Sequence, residues 1–125
     1  MPRFTGGKGV PVVYDSVGKT TWEGSLDCLR PSGLIVSFGN ASGPVPPVNL
    51  GILSTKGSLY VTRPTLATHI ASRADLVERA NSLFEVVESG KVKIETTRRY
   101  KLADAQQAHR DLESRKTTGS VILTP

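Results

Sequence analysis

The first forty residues alternate between short apolar runs and turn residues. Residues 10–15 form an apolar run, which is typical of a strand buried in a parallel sheet. Trp22, Leu26 and Leu29 then recur at the spacing of one stripe on a helix. Residues 33–38 form a second apolar run. This pattern predicts a strand–helix–strand unit with short connections, in which the two strands are parallel.

The middle of the chain is predicted to be a long loop followed by a third strand. Residues 39–57 are rich in Gly, Pro and Asn, which disfavours regular structure over much of this segment. Long loops in compact domains often carry function. The next apolar run, at residues 58–62, predicts the third strand.

A long helix is predicted after residue 71. Ser72 with Asp75 three residues later is a capping-box arrangement, and Gly90 is the expected C-terminal cap. Five apolar residues between these caps recur at helical spacing: Leu76, Ala80, Leu83, Phe84 and Val87. Beyond Gly90 the pattern predicts extended segments at 92–94 and 98–102, a helix over 103–115 and a strand at 120–123.

Strands that alternate with helices predict an α/β fold with a mostly parallel, doubly wound sheet. A complete dinucleotide-binding fold begins with a strand, continues with the motif G-x-G-x-x-G and then enters a helix. This chain has no such motif after a strand, because the glycines at 6, 7 and 9 precede the first strand. We therefore expect a partial Rossmann-like fold.

Composition narrows the possible functions. The 125 residues carry a net charge of +5, but the basic residues are dispersed. Scattered solvated charge is a better interpretation than a nucleic-acid surface, and an anionic ligand such as a phosphate is a third one. No apolar run approaches the roughly 20 residues of a membrane span, and Cys28 is the single cysteine, so we expect a cytoplasmic protein.

Several blocks follow one another along the chain in a familiar order. They read VVYDSVG at 12–18, LDCL at 26–29, GLIVSFGN at 33–40, KGSLYVTRP at 56–64, LADAQQAH at 102–109, LESR at 112–115 and GSVIL at 119–123. Together they resemble the zeta-crystallin-like quinone oxidoreductases, which are zinc-free members of the medium-chain dehydrogenase/reductase superfamily. The resemblance covers essentially the whole chain and depends on the agreement of separate blocks.

The resemblance implies a domain organisation and an activity. Residues 1–90 would be the second half of the nucleotide-binding Rossmann domain, and residues 91–125 the segment that returns to complete the catalytic domain. The body of the catalytic domain and the glycine-rich Rossmann half would be absent. The implied reaction is transfer of hydride from NADPH to a quinone without a metal, and the chain by itself is expected to be inactive.

The same resemblance assigns residues to the nicotinamide end of the cofactor. Phe38, Gly39 and Asn40 follow the second strand, and ligands of open α/β sheets bind at the carboxyl ends of strands. In the similar enzymes this segment lies beside the nicotinamide and its ribose, and the segment of Thr62 and Arg63 meets the carboxamide. The alternatives are a plain turn at 39–40 and a solvated strand-end charge at Arg63.

Arg115 matches an arginine that helps to hold the adenosine 2′-phosphate of NADPH in similar bacterial enzymes. A guanidinium suits this task because it offers paired donors to phosphate oxygens. The alternative is a cation that stabilises the C-terminus of a helix.

The other reactive side chains favour structural interpretations. Asp15 ends a strand and could be a general base, but an Asp at such a position more often caps a turn. His69 and His109 are far apart in sequence, and with Cys28 they show no metal-ligand spacing. Cys28 and Tyr60 are expected to pack in the fold. We therefore assign no catalytic acid or base and no metal.

Three functions remain open from the sequence. The first is part of an NADPH-dependent quinone oxidoreductase. The second is a stand-alone dimerisation or regulatory module, and the third and least favoured is a nucleic-acid binder. In either of the first two cases we expect a homo-oligomer that forms through strand 58–62 or through another exposed edge of the sheet.

Overall fold

The computed structural model describes residues 5–125. The chain divides into two compact units, and the division falls between Ala71 and Ser72. The first four residues of the segment 1–90, assigned above to the Rossmann domain, lie outside the described residues. The predicted domain boundary at residues 90/91 concerns the organisation of a larger protein and stays a prediction.

The first unit is a three-stranded parallel sheet with short helices. Its elements are β1 (Val10–Asp15), α1 (Trp22–Asp27), β2 (Leu29–Ser37), α2 (Gly51–Thr55), β3 (Tyr60–Thr62) and α3 (Leu66–His69). The strand order is β1-β2-β3, and both pairings are parallel. The predicted α/β class and the strand–helix–strand unit are therefore confirmed.

A small apolar core holds this sheet and its helices together. It consists of Trp22, Leu26, Leu29, Ile35 and Leu59. Leu26 and Ile35 are almost wholly inaccessible to solvent. Each fully buried side chain of this size contributes about 1.5–3 kcal/mol relative to an exposed one. The helix and the strands are thus fixed mainly by burial of the side chains that the apolar pattern had marked.

One predicted boundary in this unit is wrong. The pattern placed Leu29 on the helix, but α1 ends at Asp27 and Leu29 is the first residue of β2, paired with Val10. The pairing is irregular between Val10 and Val12, and Ser32 has a positive φ of 57°. A bulge of this kind lets a strand include residues that would otherwise end it.

The second unit pairs two strands and carries two helices. Its elements are α4 (Arg73–Glu88), β4 (Thr96–Lys101), a 3₁₀ turn (Leu102–Asp104), α5 (Ala105–Glu113) and β5 (Ser120–Thr124), and β4 pairs with β5 in parallel. The long helix, the later helix and the last strand are confirmed. Residues 92–94 belong to no strand, because pairing begins only at Thr96.

Caps define the ends of α4 as predicted. The backbone N–H of Asp75 donates to the Ser72 hydroxyl oxygen at 3.0 Å, and Gly90 has a φ of 72° just after the helix. No residue of α4 is buried, however, and the predicted apolar stripe leaves Phe84 58% exposed. The helix is therefore present as predicted, but its apolar stripe is not buried against a core in the described residues.

A buried carboxylate anchors α5 to β4. Asp111 accepts hydrogen bonds from the Tyr100 hydroxyl at 2.8 Å and from the Gln107 side-chain amide at 2.9 Å. The Tyr100 hydroxyl is the main reason why the pKa of Asp111 lies below its ordinary value.

Among the described residues, no helix has the length and apolar composition that crossing a membrane requires.

Candidate functional site

The carboxyl ends of β2 and β3 lie side by side. Val36 of β2 is paired with Thr62 of β3, so the segments that follow the two strands leave the sheet at the same edge. The end of β3 and the segments that follow the two strands contain five of the six residues that the resemblance assigned to a cofactor site, namely Phe38, Gly39, Asn40, Thr62 and Arg63. The structure therefore brings these five together.

Arg63 joins the two strand ends directly. Its Nη1 donates to the Ser37 hydroxyl oxygen at 3.2 Å and to the Gly39 carbonyl oxygen at 3.2 Å. Ser37 is only 5% exposed, so the guanidinium reaches the last residue of β2. Arg63 is nevertheless exposed, so both the solvated strand-end charge and the assigned contact with a cofactor stay open as interpretations.

Three clefts meet around Arg63. The first, of about 540 Å³, is lined by Phe38, by Arg63 and by four residues that follow it, Pro64, Thr65, Leu66 and His69. The second, of about 250 Å³, is more polar and is lined by Ser37, Asn40, Arg63 and two apolar residues. The third, of about 280 Å³, is largely apolar. The edge thus offers polar donors beside apolar walls, which is the usual make-up of a small-molecule site.

A loop–loop contact holds Gly39 in place. The N–H of Ala41 donates to the Ser16 carbonyl oxygen at 3.2 Å, and the N–H of Ser42 donates to the Val17 carbonyl oxygen at 2.8 Å. A Cβ atom on Gly39 would stand 2.2 Å from the carbonyl oxygen of Ser16. The absence of a side chain at Gly39 therefore serves contact between two loops, whereas the sequence had suggested either contact with a ligand or a plain turn.

The sequence reasoning missed this loop pair. Its second half is similarly tight, because a Cβ atom on Gly18 would stand 2.6 Å from the Gly43 carbonyl oxygen, to which the N–H of Lys19 donates at 3.0 Å. The sequence signal that could have indicated it is a glycine soon after each strand, Gly18 after β1 and Gly39 after β2. Nothing in the spacing of the glycines indicated that the loops touch.

Arg115 lies in the second unit, just beyond α5. It is exposed and has a positive φ of 58°, a conformation in which glycine is usual. Its N–H donates to the Leu112 carbonyl oxygen, and the N–H of Lys116 donates to that of Asp111, both at 3.0 Å. The arginine therefore completes a Schellman cap, and its position agrees with the alternative of a cation at a helix C-terminus.

The other reactive side chains named in the sequence analysis include Asp15, Cys28 and Tyr60. Asp15 caps the turn after β1, as predicted, because it accepts from the N–H of Val17 at 2.8 Å and from that of Gly18 at 3.0 Å. Cys28 is half-buried at the end of α1. Tyr60 is 63% exposed on β3, so the expectation that it packs in the fold is wrong. Within residues 5–125, no three His, Cys, Asp or Glu side chains lie close enough together to hold a metal ion.

Comparisons with known proteins identify the family of the chain. Residues 2–123 match the family described as zinc-binding dehydrogenase. The quinone oxidoreductase of Pseudomonas aeruginosa is 60% identical over 98% of this chain and 38% of its own length. The 2-haloacrylate reductase of a Burkholderia species is 42% identical over 98% of this chain and 37% of its own length.

Solved structures give the same result. The Escherichia coli quinone oxidoreductase in complex with NADPH superposes with a TM-score of 0.89 and 57% identity, over 99% of this chain and 39% of that one. A mycobacterial protein, also in complex with NADPH, superposes with a TM-score of 0.91 and 47% identity, over 99% and 38% of the two chains. The chain thus spans less than two fifths of the length of these relatives.

Proposed function

The chain belongs to the zinc-binding dehydrogenase family, and from this premise we propose that it is part of an oxidoreductase that transfers hydride from NADPH to a quinone. The observation that carries the proposal is the edge where β2 and β3 end, because Phe38 and Arg63 line one cleft there. The relatives solved with NADPH support the choice of cofactor. We propose that the 125-residue chain is inactive by itself.

The residues at this edge fit the nicotinamide end of the cofactor. Phe38 is 51% exposed and offers an apolar surface beside the ring, while the side-chain amide of Asn40 offers both a donor and an acceptor. Thr62 and Arg63 would meet the carboxamide. When bound, the nicotinamide supplies the hydride, and the protein binds and orients it.

Arg115 is proposed to contact the 2′-phosphate of NADPH. A guanidinium presents paired donors in a fixed geometry, which matches phosphate oxygens. Its backbone is fixed by the Schellman cap and its side chain is exposed, so the guanidinium is accessible to a phosphate from the end of α5. By the resemblance, the family's other ligands of the 2′-phosphate lie in the glycine-rich Rossmann half, so we do not expect Arg115 alone to give strong binding.

The described residues do not fit a zinc ion, although the family description includes one. The structure places no three potential ligands together in residues 5–125. A catalytic zinc site uses three protein ligands and an open position. We therefore derive no step that uses zinc from these residues.

The proposed electron acceptor is a quinone. The Burkholderia relative is named as a reductase of 2-haloacrylate. A quinone and a 2-haloacrylate both contain a carbonyl group conjugated to a carbon–carbon double bond. A cleft of about 540 Å³ with an apolar wall and a nearby guanidinium suits such a flat, polarised molecule. Which member of this class is reduced depends on residues beyond this edge of the sheet.

Calorimetric titration with NADPH, and with NADH for comparison, tests the proposal on the chain itself. We expect NADPH to bind more tightly than NADH, and we expect Arg63→Ala to weaken binding of both. Arg30→Ala is the matched control, because Arg30 is an exposed arginine near the opposite end of β2. Absence of binding by either nucleotide, or equal loss in the two variants, would contradict this site.

A second candidate function is a dimerisation or regulatory module without catalysis. The observation that favours it is the edge strand β3, in which Tyr60, Val61 and Thr62 are all exposed. Exposed edges pair readily with other chains, and β1 forms the other edge of this sheet. Light scattering that shows a stable dimer, combined with no nucleotide binding, would support this candidate, and a monomer would contradict it.

A further inference from the structure

Asp15 collects more hydrogen bonds than a turn cap needs. It is 4% exposed at the end of β1. Besides the two backbone donors of the turn, it accepts from the Thr21 hydroxyl at 2.9 and 2.8 Å and from the Ser25 hydroxyl at 2.8 Å. Its two oxygens therefore tie the turn after β1 to helix α1.

The surroundings keep this carboxylate ionised. Burial by itself raises the pKa of Asp15, but the donors from Gly18, Ser25, Val17 and Thr21 together lower it below the ordinary value of 3.8. An ionised carboxylate at neutral pH accepts stronger hydrogen bonds than a neutral group does. The side chain is thus suited to fixing geometry and poorly suited to removing a proton from a substrate.

The turn that Asp15 fixes is hydrogen-bonded to residues 39–43, the loop that contains Gly39 and Asn40 of the candidate cofactor site. The Val17 carbonyl oxygen accepts from both the N–H and the hydroxyl of Ser42, each at 2.8 Å. The same Ser42 hydroxyl accepts from the N–H of Thr20 at 3.0 Å. Displacement of residues 17–20 would therefore move residues 39–43, and Asn40 with them.

We propose that Asp15 is a positioning residue for the Gly39–Asn40 turn. It acts through the loop of residues 16–20, with no contact of its own to the ligand. The term "positioning" depends on the proposed function, because that turn is where we place the nicotinamide. The mechanical coupling between Asp15 and the turn does not depend on it, so the two can be tested separately.

Backbone amide hydrogen exchange, measured by NMR on the 125-residue chain, tests the coupling without a ligand. In Asp15→Asn we expect the amides of Ala41 and Ser42 to exchange about tenfold faster. The substitution weakens a charge-assisted acceptor at residue 15, and this loosens the turn whose Ser16 and Val17 carbonyl oxygens accept from these two amides. The amide of buried Ile35 should keep its rate. Asp27→Asn is the control, since Asp27 is a 63% exposed carboxylate that pairs with Lys56.

Ser25→Ala is the second variant, in case Asp15→Asn unfolds the chain. It removes one donor to Asp15, and the hydrogen bond that the Ser25 side chain makes is to Asp15, so a faster Ser42 amide would show that the coupling passes through the carboxylate. Wild-type exchange at Ala41 and Ser42 in both variants would overturn the proposal. Equal acceleration of these amides and of Ile35 in both variants would also overturn it, because it would show a purely structural role.

NADPH titration of the same variants separates the two proposals. If the wild-type chain binds NADPH, Asp15→Asn should weaken binding while Asp27→Asn leaves it unchanged. If the wild-type chain shows no binding, the proposed function fails for this chain, and the exchange rates still decide whether Asp15 controls the turn.

Discussion

Replacement of Arg115 by glycine should separate folding from cofactor recognition at one position. Arg115 has a φ of 58° in the cap after α5, where its own N–H and that of Lys116 close the helix. Glycine adopts this conformation without steric cost, whereas any residue with a Cβ atom is strained. Arg115→Gly therefore relieves strain and removes the guanidinium, whereas Arg115→Ala removes the guanidinium and keeps the strain.

The difference between the two variants can be worked out from the backbone. A left-handed conformation costs a residue with a Cβ atom about 1–2 kcal/mol. Glycine loses about 0.5–1 kcal/mol because of its freedom in the unfolded chain. Both variants lose the same favourable interaction of a cation with the helix C-terminus. We therefore expect Arg115→Gly to be about 0.5–1 kcal/mol more stable than Arg115→Ala, which corresponds to a Tm about 2–4 °C higher.

Thermal unfolding followed by circular dichroism measures the first effect, and calorimetry with NADPH and NADH measures the second. If Arg115 contacts the 2′-phosphate, both variants should lose about tenfold in preference for NADPH, because hydrogen bonds to charged groups contribute about 1.5–3 kcal/mol. Equal Tm values for the two variants would refute the argument from strain. An unchanged preference for NADPH in both would refute the phosphate contact.

Two further substitutions test the contact between the loops and the acid dependence of stability. Gly39→Ala should destabilise the chain by about 1–3 kcal/mol in urea unfolding, because its Cβ atom would stand 2.2 Å from the Ser16 carbonyl oxygen. The control is Gly24→Ala in α1, which should be neutral or stabilising because no atom lies within 4 Å of the added Cβ. Similar losses of stability in both variants would contradict this prediction. Asp111, whose pKa is lowered chiefly by the Tyr100 hydroxyl, contributes stability above the unfolded-state pKa of about 3.9 and loses it as pH falls through the lower folded-state value. Unfolding of Asp111→Asn should therefore depend less on pH below about pH 5 than wild type, and parallel acid profiles would contradict this.

Local signals predicted the elements whose ends depend on neighbouring residues. The capping pair Ser72 and Asp75 and the glycine at 90 fixed both ends of α4, because caps involve residues only a few positions apart. The apolar runs of β1 and β2 and the stripe of Trp22 and Leu26 were equally local. These features follow from backbone geometry and from the spacing of apolar residues.

Local pattern was insufficient where a residue had two possible partners. Leu29 continues the stripe of Trp22 and Leu26, so its spacing indicated a helix. It is nevertheless the first residue of β2, because pairing with Val10 extends the strand backwards through the irregular segment around Ser32. In both interpretations Leu29 is buried, so the apolar pattern determined that it joins the core but not which element carries it.

Residue pattern alone was enough to predict the α/β class and the main strands and helices, while the short helix at Gly51–Thr55 fell inside a segment predicted to be loop. The residues assigned to a cofactor came from the family resemblance and stay predictions. Only the tertiary structure decided that Arg63 joins Ser37 to the Gly39 carbonyl oxygen, and that Gly39 is small because Ser16 lies against it. These contacts link residues more than twenty positions apart. Their existence depends on how parallel strands bring their carboxyl ends to one edge, and no local pattern of residue types encodes that distance.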